Sequence, residues 1–157
     1  MKINATTLEA QPFFKGLPRE LLEMLAADAL PVHFKAGEFI FEEGDVANRL
    51  YLLLEGKVAL ESPTDSEHEP VTIETLGPGS MLGWSWMFPP YYWHFDARAI
   101  APTKAIFFYG TRLREQCEAN HELGYELMKR VSGVVIERLQ ATRRQLVQQS
   151  NTIFVPV

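Results

Sequence analysis

The stretch Lys35-Ala36-Gly37-Glu38-Phe39-Ile40-Phe41-Glu42-Glu43-Gly44-Asp45, followed by Leu50-Tyr51-Leu52-Leu53-Leu54-Glu55-Gly56-Lys57-Val58, decides the fold class. Short runs of β-favouring residues are cut at close intervals by glycine, and tight turns between strands need backbone angles that other residues rarely adopt. The same texture continues downstream through Val71 to Leu76, Phe95 to Ile100 and Ala105 to Phe108, with Gly77, Gly79 and several prolines as punctuation. Short strands at this spacing imply a sandwich, roll or barrel over residues 31–109. The acidic, proline-flanked segment Ser62 to Pro70 reads as an exposed hairpin tip.

Helical patterns flank this β region. Pro18 followed by Arg19-Glu20-Leu21-Leu22-Glu23-Met24-Leu25 reads as a helix start, and the helix should end before Pro31. After Gly110 the pattern is helical again. Residues 121–149 contain no proline and only Gly124 and Gly133 as weak points, so one helix of roughly 40 Å is expected. Leu127, Val131, Val134, Val135 and Leu139, continued by Thr142 and Leu146, form an apolar stripe along it. A helix of that length is too long to bury on a small roll. Part of the stripe is therefore expected to pack on the roll and part on the same helix of a second chain. The competing expectation is a helix packed wholly on its own domain.

The 157 residues are close to one domain's length, with 46% hydrophobic and 22% charged residues, which is ordinary globular composition. Domain boundaries are expected at 1–150, with a helical lead-in at about 8–30 and a tail at 151–157. Fifteen basic against twenty acidic residues, net charge -5, disfavours a surface built to neutralise phosphates. Cys117 is the single cysteine, which excludes an intramolecular disulfide and cysteine-rich metal or iron–sulfur sites. With no apolar run approaching a membrane span and no apolar core in a leader, a cytoplasmic protein is expected.

The glycine-punctuated segments from Lys35 to Asp45 and from Leu50 to Val58 resemble the opening strands of the cyclic-nucleotide-binding domain family, the sensor half of regulators related to the catabolite activator protein. Pro12-Phe13-Phe14-Lys15-Gly16-Leu17-Pro18 is similar to the family's helical lead-in, Gly77-Pro78-Gly79 to its mid-roll turn, and Glu137 to Thr142 to part of its long dimerisation helix. The resemblance implies a mainly β fold with flanking helices: an antiparallel double-stranded β-helix, a cupin-like jelly roll, with N-terminal helices and a long C-terminal dimerisation helix. It implies a homodimeric, non-enzymatic regulator. The sequence stops where the family's helix-turn-helix would begin, so direct DNA binding is not expected, and the output is expected to be a protein partner.

In nucleotide-binding members a Gly-Glu pair opens the phosphate cassette and an arginine closes it, the glutamate taking the ribose hydroxyl and the arginine the cyclic phosphate. Here the matching stretch runs from Gly79 to Phe88; Gly83 remains, but Trp84 stands at the glutamate position. Anchoring the next strand on Ala97-Arg98-Ala99 puts Trp93 at the arginine position and His94 at the neighbouring hydroxyl position, within one residue. Arg98 lies beyond the cassette and is expected in a structural salt bridge. Seven of the twelve residues Trp84 to Phe95 are aromatic. Three readings stay open: an aromatic pocket for an apolar or flat ligand, with Gly83, Trp84, Ser85, Trp93, His94 and, from the long helix, Thr142 as candidate contacts; a pocket plugged by its own rings; and ordinary cyclic-nucleotide binding, which would leave a desolvated phosphate without a counter-charge. No cofactor or metal is expected, since His33, His68, His94 and His121 show no paired ligand spacing. No nucleophile–base pair, carboxylate pair or metal set points to catalysis.

Overall fold

The computed structural model describes residues 2–65 and 67–153, with side chains to 150. Two short helices lead in, α1 (Ala5–Glu9) and α2 (Arg19–Ala26). Eight strands follow: β1 (Leu30–Phe34), β2 (Phe39–Phe41), β3 (Arg49–Glu55), β4 (Val58–Ser62), β5 (Val71–Leu76), β6 (Met81–Leu82), β7 (Asp96–Ala99) and β8 (Thr103–Tyr109). Helices α3 (Gly110–Ala119) and α4 (His121–Ile153) follow and reach the end of the described residues.

The strands form two four-stranded sheets, β1-β8-β3-β6 and β2-β7-β4-β5, with every pairing antiparallel. This is the expected roll. The run Leu50-Tyr51-Leu52-Leu53 is apolar at every position because β3 has protein on both faces. Successive side chains of a strand point to opposite sides. Accordingly Leu50 and Leu52 join a core with the α2 leucines Leu21, Leu22 and Leu25, whereas Tyr51 and Leu53 join Val58, Leu60 and Leu76 inside the roll. β8 divides identically: Ile106 and Phe108 face the helices, Ala105 and Phe107 the roll interior.

Several expected boundaries move. The lead-in starts at Ala5, not near residue 8, because Asn4 caps α1: its Oδ1 accepts from the Thr7 amide at 3.0 Å while Thr7 Oγ1 accepts from the Asn4 amide. α4 runs on to Ile153, past the expected end at 149, so the first part of the expected tail is helical; residues 154–157 lie outside the described residues. α3 and α4 are separated at Asn120, whose Oδ1 accepts from the Leu123 amide at 3.1 Å and starts α4 in a new direction. Among the described residues no helix is long and apolar enough to cross a membrane.

The expected dimer stripe needs correction. Leu127 and Val131, at 1% and 0% exposure, belong to the chain's own core with Leu113 and Leu123, and Val134 and Val135 pack against the same cluster. Arg138 and Ala141 continue this inward face. Leu139 and Leu146 lie elsewhere on the helix, 67% and 64% exposed, and share the outward side with Tyr125, Met128, Ile136 and Val147. At about 100° per residue, 127, 131, 134, 138 and 141 fall on one face and 125, 128, 136, 139 and 146 on the opposite one. α4 therefore has two apolar faces where the sequence reading drew one.

Candidate functional site

The cassette begins at β6, which pairs with β3 through Tyr51↔Leu82 and Leu52↔Met81. Gly83 follows with φ 92°; a Cβ there would lie 2.8 Å from the Arg49 carbonyl oxygen and 3.0 Å from the Trp93 indole, so only glycine fits. A 3-10 turn over Ser85–Met87 comes next. Its middle residue, Trp86, is fully buried in the helix-side core, where its indole N–H donates to the Gly83 carbonyl at 2.8 Å. The aromatic run is thus not a single pocket: Trp86 has left the cassette for the other core.

Trp93 does the opposite. Its amide donates to the Asp45 carbonyl at 3.0 Å, and its carbonyl accepts from the Gly44 amide at 3.0 Å, which fixes it against the β2–β3 loop. The indole, 6% exposed, lies flat on Phe41 with ring centroids 3.8 Å apart and planes at 8°. Trp84 meets His94 edge-on at 5.0 Å and Phe88 at 6.0 Å. His94 Nδ1 donates to the Tyr92 carbonyl at 2.9 Å, which assigns the proton to that nitrogen; Ser85 Oγ lies 3.5 Å from it. With Phe41, Leu60, Leu82, Gly83, Trp84, Ser85, Trp93, His94 and Phe95 around it, the cleft that remains measures about 20 Å³. That is room for about one water.

Gly83, Trp84, Ser85, Trp93 and His94 are all brought to this cleft, but Thr142 is not. Its side chain is exposed on α4 and its hydroxyl donates to the Arg138 carbonyl at 2.8 Å. The helix residue that does reach the cleft is Arg138, which the sequence reading passed over. Arg138 is 5% exposed; its guanidinium donates to Glu74 Oε2 at 3.0 Å and to the Met81 carbonyl at 2.9 Å. Burial lowers its pKa, opposed by the nearby carboxylates of Glu74 and Glu137. The spacing 127, 131, 134, 138, 141 puts Arg138 on the buried face, a signal readable in the sequence once the inward stripe is separated from the outward one. Arg98 points away from the roll interior and pairs with the buried carboxylate of Glu61 through two bonds, 2.9 and 3.1 Å, the structural role expected of it.

The roll, the glycine-led cassette and the helix laid across its mouth agree with a match of residues 31–120 to the family model described as "Cyclic nucleotide-binding domain". The chain belongs to the cyclic nucleotide-binding domain family. Within the family, a solved structure of a putative cyclic nucleotide-binding protein from Geobacter metallireducens is similar at 35% identity and TM-score 0.77, covering 87% of this chain and 98% of that one. The N-terminal domain of a transcriptional regulator from Streptomyces coelicolor A3(2) gives 25% identity and TM-score 0.67, covering 83% and 92%. A CRP-like cAMP-activated global transcriptional regulator of Mycobacterium tuberculosis is 28% identical over 145 residues, 92% of this chain and 61% of the relative. The chain spans about three fifths of the length of that curated relative.

Proposed function

We propose that this chain is a non-enzymatic regulatory domain whose nucleotide cassette is filled by its own side chains, so that it does not take cAMP or cGMP in the family's usual way. One observation carries the reading: Trp93, standing where the phosphate arginine is expected, stacks on Phe41 and leaves about 20 Å³. That volume favours the plugged alternative over an open apolar pocket. A cyclic phosphate here would lose its water without gaining a cation from the cassette strand, and an unpaired buried charge is among the most expensive groups in a protein.

The domain works as a homodimer and passes its output to a protein partner. The outward apolar face of α4, from Ile136 to Val147, supports a second copy as its occupant. Ser132, the half-buried Val135, Leu139, Thr142 and Leu146 repeat at alternating steps of three and four, the spacing of a two-stranded seam, with small Ser132 and Thr142 allowing close approach. Titration calorimetry with cAMP and cGMP, together with light scattering, tests both parts. No saturable heat and a dimer mass are expected. Micromolar binding of either nucleotide would overturn the plugged cassette, and a monomer mass across the concentration range would overturn the seam.

A further inference from the structure

On the far side of the cassette loop from the cleft lies a second concavity of about 350 Å³, between α3, the start of α4 and the loop itself. This is the size range of small-molecule sites. Met87, Tyr91, Tyr125 and Met128 line it with accessible rings and thioethers over the fully buried Trp86, a surface suited to a flat aromatic molecule. Tyr91 is held there in a left-handed backbone conformation, φ 61°, with its amide carbonyl accepting from the Ala47 amide at 2.7 Å.

The polar wall is Arg114. Its guanidinium lies over the Tyr91 ring, 4.3 Å from the centroid, and donates to the Trp86 carbonyl and, at 3.4 Å, to Thr111 Oγ1. It has no carboxylate partner among the described residues, and a guanidinium carries five donors, so some remain for a ligand. Glu118, one turn further along α3, and His121 complete the rim without an ion pair or side-chain hydrogen bond among the described residues. An unpaired arginine beside an aromatic floor fits an anion with a ring attached.

We propose that this outer groove binds a small planar aromatic carboxylate, with its ring against Met87, Tyr125 and Met128 and its carboxylate on Arg114. The site is separate from the cassette cleft, so it does not depend on the plugged reading of that cleft. Because Met87 and Tyr91 belong to the cassette loop and Tyr125 and Met128 to α4, an occupant here touches both elements.

Cys117, the chain's single cysteine, lines the groove and reports on it. Burial, aided by Glu118, pushes its thiol up to about 11, so labelling is slow and is best followed at pH 9 with a small methanethiosulfonate. The full chain is labelled with and without 2-naphthoate, and with its neutral counterpart 2-naphthamide. Naphthoate is expected to slow labelling at concentrations about ten-fold lower than naphthamide does, the order of one charge-assisted hydrogen bond. Arg114→Gln should abolish the difference between the two probes. Arg114→Gln also removes a partner of the Trp86 carbonyl, so Glu118→Gln provides a second variant on an exposed side chain; removing its like charge should tighten naphthoate several-fold. Three outcomes would overturn the proposal: no protection by millimolar naphthoate, equal protection by naphthamide, or a labelling rate set by protein concentration alone, which would assign the groove to a second copy.

Discussion

Replacing Trp93 by alanine tests whether the cassette is a plugged site or an open one. The indole is 6% exposed, lies flat on Phe41 at 3.8 Å and abuts Gly83, so its removal empties a region that the close approach of Gly83 prevents the backbone from refilling. Deleting a buried tryptophan costs about 3–5 kcal/mol, of which roughly 0.5–1.5 kcal/mol reflects ring stacking beyond area burial. We expect about 4 kcal/mol for Trp93→Ala. For a chain of this length each kcal/mol lowers the melting midpoint by roughly 2–4 °C, giving a fall of about 8–16 °C. Urea unfolding followed by far-ultraviolet circular dichroism measures the loss directly, with the denaturant slope unchanged if the roll stays compact. Added indole should then refill the cavity. At one hundred times its dissociation constant it restores about 2.7 kcal/mol to the variant and nothing to the wild type. A loss below about 1.5 kcal/mol, or equal stabilisation of both proteins by indole, would refute the plugged cassette. The variant should still not bind cAMP, because opening space restores neither the glutamate nor the arginine.

The remaining expectations concern charges and the long helix. Arg98→Met should cost about 3 kcal/mol in chemical denaturation, because it leaves the buried Glu61 carboxylate alone; adding Glu61→Leu should recover most of the loss, and failure to recover it would show that the pair is not the source. Arg138→Gln should loosen α4 from β5 at a cost of about 2–3 kcal/mol, seen as faster amide exchange in the second half of α4 and in β6, since Glu74 and the Met81 carbonyl both lose a donor. Unchanged exchange there would mean that Ala141 and its neighbours hold the helix without the latch. Leu139→Asp should leave the chain folded and monomeric by light scattering, because Leu139 is 67% exposed in the single chain, whereas Leu127→Asp should unfold it; a dimeric Leu139→Asp would move the seam elsewhere.

Six of the eight strands are legible in the sequence because each combines β-favouring residues with a glycine or proline at its end. The two that escape have physical reasons for doing so. β1 contains Pro31 and His33 and survives as an edge strand, with a single neighbour, β8, where a missing amide donor is tolerated. β6 is two residues long and exists because β3 holds it. At the site, the aromatic density of the segment Trp84 to Phe95 is visible in the sequence alone. Whether those rings leave a pocket is not, because side chains of an irregular loop follow no period that assigns them to a face.

The chain's order of glycines, apolar runs and helix-favouring segments therefore determines the roll, the flanking helices and the aromatic character of the cassette segment, since these depend on local backbone preference and residue identity. Tertiary structure alone decided three further matters. It sent Trp86 to the helix-side core and Trp93 onto Phe41. It brought Arg138, 57 residues from Met81, to that carbonyl at the cleft. It turned Leu127 and Val131 inward while leaving Leu139 and Leu146 outside. Periodicity states that a helix has an apolar face; only packing states what that face meets, because burial depends on which surfaces the whole fold brings into contact.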